Sequence, residues 1–330
     1  LAQDPFRFSE RLKGIRPSGI RKFFELGLSM KNPIDLSIGQ AHFDAPEPVK
    51  QAARNAVAEG RNRYTVTQGI PELREKLRAR YAGRFGDISG EDVMVTCGVS
   101  GGLMLTFMAL LNPGDEVLIP DPYFIMYKHL ATMVSAGTAT YNIYPDFRPT
   151  AERVRAAITP RTRLIVVNSP SNPTGYAMTE EDARALAALS DETGIPLVSD
   201  EIYEDFVFGR RHVSPREFTR NCIVLSGASK SLGMPGWRIG WMLAPRELSE
   251  KMYSLQQFSF VCAPAPLQWG ALAGMELDFS PHRRDYQNKR DLVFEGLRKN
   301  YRAVMPTGSF YMFPELPAGL DMDRFIEACI

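Results

Sequence analysis

Gly227-Ala228-Ser229-Lys230-Ser231-Leu232-Gly233-Met234-Pro235-Gly236-Trp237-Arg238-Ile239-Gly240 sets a lysine among small residues, with an arginine eight positions after it. An amine that must reach a bound aldehyde needs uncrowded neighbours, and a guanidinium can hold a phosphate on the same ligand. The plain alternative is a solvated lysine in a glycine-rich turn. The window is not a Walker phosphate loop, because it lacks the run Gly-x-x-x-x-Gly-Lys-Ser/Thr. The apolar run Ile223–Ser226 predicts a strand that feeds Lys230. Trp237–Leu243 predicts another, with a helix after Pro245.

Upstream the chain repeats this strand-then-turn pattern. Ile195–Ser199 reads as a strand ending in Asp200-Glu201-Ile202-Tyr203. Leu164–Val167 is a continuous apolar run ending in Asn168-Ser169-Pro170-Ser171-Asn172-Pro173-Thr174-Gly175. Thr179-x-x-Asp182 then opens a helix with Ala183, Leu186, Ala187 and Leu189 on its buried side. Glu116–Ile119 leads to Asp121-Pro122-Tyr123-Phe124. Val93–Thr96 runs into Gly98-Val99-Ser100-Gly101-Gly102, with a helix expected over Leu103–Leu111. Such a turn at a helix N-terminus offers free N–H groups to an anion, although many strand–helix turns look alike. The alternation predicts an α/β fold with a parallel sheet covered on both faces, and ligands bind outside the carboxyl ends of such strands.

The N-terminal third is read similarly. Ser18–Met30 is a candidate helix and Ile34–Ile38 a short strand ending at Gly39-Gln40. Asp44-Ala45-Pro46-Glu47 predicts a capped helix start, with Val49, Ala52, Ala53, Ala56 and Val57 giving one apolar face and Gly60 as the stop. Asn62-Arg63-Tyr64-Thr65 precedes Gly69-Ile70-Pro71-Glu72-Leu73-Arg74.

These motifs, in this order, resemble class I/II aminotransferases, pyridoxal 5′-phosphate enzymes of fold type I, across nearly the whole chain. The resemblance implies a large domain over 45–262, with a mostly parallel seven-stranded sheet covered by helices. It also implies a small α/β domain built from both chain ends, 1–44 and 263–330. Lys230 would form the imine with the cofactor aldehyde and then move the substrate's Cα proton. Asp200 would pair with the pyridine nitrogen, while Tyr203 and Asn172 hydrogen-bond the phenolic oxygen. Gly98, Val99, Ser100 and Arg238 would hold the phosphate. Phe124 would stack on the ring, with Tyr123 as the other candidate. Tyr64 would cross to the partner subunit's phosphate, which requires at least a homodimer. Gly39, Asn172 and Ile20 would meet the substrate.

The sequence departs from that pattern in several places. Many relatives have a phosphate-binding serine three residues before the lysine. Here Gly227 stands there, and Ser229 is the candidate replacement. The usual Glu-Pro-Asp-Phe after the first strand reads Gln40-Ala41-His42-Phe43, and His42 is best read as a loop residue outside the reacting centre. Pro306–Phe313 resembles a small-domain strand, and Asp321–Ile330 reads as the beginning of a helix. The family's carboxylate-clamping arginine lies beyond that point, so the C-terminal domain is expected to be incomplete here. The initial Leu1 suggests that the start is also incomplete.

Composition agrees with a globular enzyme. The 330 residues are 44% hydrophobic and 23% charged with net charge +1, so no basic surplus points to nucleic acid or an acidic membrane. No apolar run is long enough for a membrane helix. Cys97, Cys222, Cys262 and Cys329 are scattered without CxxC pairing, reading as small buried residues in a reducing cytoplasm rather than a disulfide or metal framework. The reaction implied is ping-pong transfer of an amino group between an L-amino acid and a 2-oxo acid. Ile20, Ser100 and Phe260-Val261-Cys262 favour a neutral, aromatic or aliphatic donor, with aspartate still open. A carbon–sulfur β-lyase on the same scaffold is the rival enzyme. A non-catalytic regulator of this fold is the remote alternative, since residues 1–44 carry no helix-turn-helix or basic stretch.

Overall fold

The computed structural model describes Phe6, residues 8–15, Lys31, Ile34, Leu36 and residues 39–329. The candidate helix over Ser18–Met30, with Ile20, lies outside the described residues, as does most of the run Ile34–Ile38.

In chain order, α1 (Glu47–Ala58) and α2 (Pro71–Phe85) precede β1 (Glu91–Cys97), α3 (Gly98–Leu110), β2 (Glu116–Asp121), α4 (Met126–Met133) and β3 (Gly137–Asn142). Next come α5 (Ala151–Ala157), β4 (Thr162–Asn168), α6 (Glu180–Thr193), β5 (Leu197–Asp200), β6 (Cys222–Gly227), α7 (Ala228–Ser231) and β7 (Ile239–Pro245). The helices α8 (Arg246–Ser259), α9 (Ala265–Gly274), α10 (Ser280–Leu297) and α11 (Met322–Cys329) complete the described chain. Seven strands form one sheet in the order β1-β7-β6-β5-β4-β2-β3. Only β7 runs antiparallel to its neighbours.

Period-two alternation builds a core on each face of this sheet. Ile165 and Val167 of β4 join Leu73, Leu77, Tyr81, Leu186 and Trp241 on one side. Leu164 and Val166 join Leu103, Phe107, Ile223, Met242 and Met252 on the other. Both faces are therefore apolar, and the functional groups are left to the strand ends. α9 packs on α1 and α2.

Several local expectations hold. Thr179 and Asp182 form a reciprocal capping box on α6, which ends at Gly194 in the left-handed region, and Ala183, Leu186, Ala187 and Leu189 are buried. Gly60, at φ +78°, follows the end of α1.

Others are corrected. Asp44 does not cap α1. Its carboxylate accepts from the adjacent Ala45 N–H at 2.7 Å and pairs with Lys50, while Pro46 occupies the cap without a side-chain bond. Glu47 binds Arg54 instead of closing a box. α3 starts at Gly98, so the small-residue turn is the helix's own first turn. Trp237 belongs to a short 3-10 turn, and the strand starts at Ile239. Pro306–Phe313 is not a strand. Among the described residues its one bridge is Val207–Gly308, and its N–H groups bind Gly175 and Phe206 carbonyls in large-sheet loops. Cys329 is exposed rather than buried. Strand β3 escaped the sequence reading because it is an edge strand with Tyr141 as its single buried residue.

Candidate active site

The carboxyl ends of β4, β5 and β6, with the first turn of α3, converge on Lys230. β6 is buried along its whole length and passes directly into α7, where Lys230 is the third residue. The amine donates to the Gly39 carbonyl at 2.5 Å and lies 5.6 Å from the centre of the Tyr203 ring. Burial pulls its pKa down to about 8. The Asp200 charge opposes that shift, and the Arg238 charge adds to it. A partly desolvated amine with its pKa near neutrality can hold or release a proton at working pH.

Asp200 ends β5 and is 3% exposed. Burial raises its carboxyl to about 6, against hydrogen bonds from the Tyr127 hydroxyl and the Ile202 N–H. The Tyr127 bond is 2.8 Å. Tyr203 follows on the same turn, buried, with its hydroxyl 2.8 Å from that of Tyr311 and in reach of the Asn172 side chain. Asn172 is set by the bond from its N–H to Asn168 Oδ1 at 2.7 Å, while Asn168 Nδ2 holds the Asp200 carbonyl at 2.9 Å. Thus the ends of β4 and β5 are locked together side by side.

Glycines let the remaining elements close up. A Cβ on Gly98 would strike the Arg238 guanidinium, and one on Gly240 would strike Gly98 and Val99. Arg238, at φ 58°, donates to the Pro235 and Cys97 carbonyls and reaches Ser100 Oγ at 3.5 Å. Gly227 faces Gly240 in register, and a side chain there would meet the Gly240 Cα at 2.9 Å. This is why a serine has no room at that position. Ser229 is buried one residue before Lys230. A Cβ on Gly39 would overlap the Tyr311 hydroxyl.

Of the residues singled out from sequence, Gly39, Asn172, Asp200, Tyr203, Ser229 and Lys230 fall in this cluster, with Gly98, Val99, Ser100 and Arg238 beside it. Phe124 is half-buried, edge-on to Tyr127 at 5.6 Å. Tyr64 is 82% exposed and away from Lys230's contacts in this chain. His42 bonds Tyr286 and faces Asp285 and Lys289, not the lysine. Sequence reasoning missed Tyr127, Tyr311 and Asn168. Tyr127 was the most accessible of these, three residues after Phe124 at the start of a helix.

The chain matches the family described as "Aminotransferase class I and II" over residues 31–330, and it belongs to that family. It is 37% identical to a probable aspartate aminotransferase of Methanocaldococcus jannaschii, over 93% of this chain and 84% of the relative. It is also 37% identical to the aspartate/prephenate aminotransferase of Thermus thermophilus, over 92% and 83%. Among solved structures, the aspartate aminotransferase of Thermotoga maritima superposes with a TM-score of 0.91 at 28% identity, covering 97% of this chain and 88% of that one. The Thermus thermophilus aspartate aminotransferase with maleate superposes at 0.88 and 36% identity, covering 93% and 84%. The chain is therefore a pyridoxal 5′-phosphate-dependent aminotransferase of the aspartate aminotransferase fold, acting on small amino and 2-oxo acids. The residues present fit that cofactor. The N–H groups in the first turn of α3, with Arg238, suit a phosphate. The buried Asp200 carboxylate suits a cationic ring nitrogen.

Proposed function

We propose that the enzyme moves an amino group from a neutral, aromatic or aliphatic L-amino acid to a 2-oxo acid in two half-reactions of ping-pong type. The observation that carries this reading is Lys230, a half-buried amine whose pKa is pulled down to about 8, in the field of the buried Asp200 carboxylate. Pyridoxal phosphate, when bound, supplies an aldehyde that captures the amine and a ring that withdraws electrons from Cα. Lys230 would hold the cofactor through its aldehyde, and its Nζ, once displaced by the incoming substrate amine, would take the Cα proton and return it as general base and general acid. Asp200, oriented by Tyr127, would keep a proton on the ring nitrogen. Tyr203 and Asn172 would hold the phenolic oxygen, Phe124 would pack on the ring, and Val99, Ser100, Ser229 and Arg238 would hold the phosphate. The Gly39 backbone and Asn172 meet the substrate carboxylate.

The second subunit completes the site in this reading. Tyr64, Val66 and Phe258 are exposed, and the 64–67 loop is tied to α8 and α9 by Gln256 and Gln268. Exposed aromatic groups of this kind suit an interface, and Tyr64 would reach the partner's phosphate. We retain the division into 45–262 and a second unit from 1–44 and 263–330, with α9 as the joint resting on α1. A cytoplasmic setting suits the unpaired cysteines.

The donor preference rests on Phe260-Val261-Cys262, which lies against the first turn of α3. The Phe260 ring is 3.9 Å from where a Gly101 Cβ would stand, and Cys97 Sγ reaches the Cys262 carbonyl. The names of the relatives favour aspartate as the competing donor. Absorbance of the cofactor-loaded protein, read after each of a panel of amino acids, decides between them. An aromatic or aliphatic donor is expected to shift the visible band fastest, with a 2-oxo acid restoring it. A response to aspartate alone would overturn the preference, and no response to any donor would overturn the transamination reading.

A further inference from the structure

Directly behind Asp200 lies a second set of charges that no step of the reaction uses. Glu201 is fully buried and Glu204 nearly so, both on the turn that also carries Asp200 and Tyr203. The side-chain oxygens of Glu201 and Glu204 and a ring nitrogen of His212 all lie within 4.8 Å of one another. That is a donor set with the chemistry of a cation site. A guanidinium occupies it. Arg84, from the last turn of α2, donates Nη2 to Glu201 Oε2 at 3.0 Å and Nη1 to Glu204 Oε2 at 2.8 Å. Its Nε lies 3.8 Å from Glu217. Glu201 also accepts from His212 at 2.8 Å, from Ser199 at 2.8 Å and from Ser214. Glu204 accepts from Ser226 of β6 at 2.6 Å and faces Arg80 at 3.3 Å.

We propose that Arg84 is a positioning residue: its planar fork is the structural cation that fixes the Asp200–Tyr203 turn, and so the cofactor-facing carboxylate, from beneath. The fork matters because one guanidinium must satisfy two carboxylates three residues apart on a tight turn through two different nitrogens, which a point charge cannot do. Charge matters as well. With Arg84 removed, Glu201 keeps only His212 and hydroxyl donors and Glu204 keeps Arg80 and Ser226, so the pair carries more net negative charge next to Asp200, and a neighbouring negative charge drives a carboxyl towards its neutral form. Glu201 already pushes Asp200 in that direction. Burial also pushes Glu201 itself up, yet Arg84, His212 and Ser214 outweigh it and leave it at about 2.

This inference rests on the reading that Asp200 holds the cofactor ring, so Asp200→Asn is tested in parallel. The measurement is pyridoxal phosphate affinity, by fluorescence titration of the full chain across pH, together with far-ultraviolet dichroism. Arg84→Ala is expected to keep its dichroism and bind the cofactor roughly tenfold more weakly or worse at neutral pH, with the loss shrinking at high pH, where Asp200 is ionised in both proteins. Added free guanidinium, below denaturing concentration, is expected to restore affinity. Arg84→Lys, which keeps the charge and loses the fork, is expected to fall between. It also decides the matter should the alanine variant fail to fold: wild-type affinity for Arg84→Lys would overturn the role of the fork. If Arg84→Ala binds as tightly as wild type while Asp200→Asn does not, the positioning role is refuted and the reading of Asp200 stands. If Asp200→Asn also binds normally, the reading beneath it has failed.

Discussion

Asp200 and Glu201 are consecutive, both buried, and opposite in character. Asp200 is raised by burial to about 6, whereas Glu201 is held down at about 2 because Arg84, His212 and Ser214 overcome the same burial. Burial alone therefore does not decide what a carboxyl does; the partners do. Glu201 faces the helix layer, where α2 and the 212–217 segment supply charges and hydroxyls. Asp200 faces the strand-end cluster, where its side-chain bonds come from one tyrosine and one backbone N–H. The first is a finished structural charge. The second is a charge with capacity left for a cationic ligand group, on the Lys230 side of the sheet.

The most severe way to break the reactive side of this contrast is Lys230→Ala. Loss of both anchor and proton carrier is expected to cut transamination by roughly a thousandfold or more, with the visible band of covalently held cofactor gone. Near-native turnover would refute the role of Lys230.

Asp200→Asn should separate function from stability. Activity is expected to fall roughly a hundredfold or more, because an amide cannot keep a ring nitrogen protonated. Stability of the cofactor-free chain should move the other way. A carboxyl with a folded pKa of about 6 binds a proton more tightly in the native state than in the unfolded chain, where it titrates near 3.8. The native chain therefore loses stability as pH rises through that window, by roughly 3 kcal/mol at the top. Asparagine removes that cost. Thermal melts at pH 5 and pH 7 should show wild type losing stability from Asp200 between them and the variant spared. Equal pH dependence in both proteins would show that Asp200 is not desolvated as described.

The reactive side was far more legible in sequence than the structural side. Lys230, Asp200, Asn172 and Arg238 each follow a buried strand or turn, so local order alone brings them to one edge of a parallel sheet. Arg84 joins Glu204 across 120 residues and Glu201 across 117, and nothing local in a helix rich in arginine distinguishes it from its solvated neighbours. β3 hid for the opposite reason, since an exposed edge strand needs no apolar run. Pro306–Phe313 had the composition of a strand but lies along loops that already supply its hydrogen-bond partners. Gly227 was visible only as a departure, and the packing of Gly240 against it supplies the reason.

A finer test changes one hydrogen bond of Asp200. Tyr127→Phe leaves Asp200 Oδ2 without its 2.8 Å donor. That bond favours the charged form, so its loss should raise the Asp200 carboxyl above its present value of about 6. A hydrogen bond to a charged group is worth about 1.5–3 kcal/mol. The acid limb of the pH–rate profile should therefore move to higher pH, with a loss of roughly tenfold at neutrality and little change at high pH. A uniform loss at every pH would assign Tyr127 to packing only.

The smallest effect is expected at a third buried carboxylate, Asp182, which is of the finished kind and remote from the lysine. It closes the α6 capping box with Thr179, accepts from Arg148 at 2.7 Å and from the Tyr176 hydroxyl at 2.6 Å. Burial pushes its carboxyl up, but these partners outweigh it and leave the pKa lowered. Its stabilisation is thus present above the unfolded pKa and fades as pH falls below it. Thr179→Ala removes one capping oxygen and should cost about 1 kcal/mol in a denaturant melt at pH 7. Cofactor affinity should not change, because α6 lies on the helix layer and its cap bonds join Thr179 to Asp182, whose other partners are Arg148 and Tyr176. If affinity falls as well, the two classes of buried carboxylate are not independent, and the sheet transmits strain from its helix layer to the Asp200 turn.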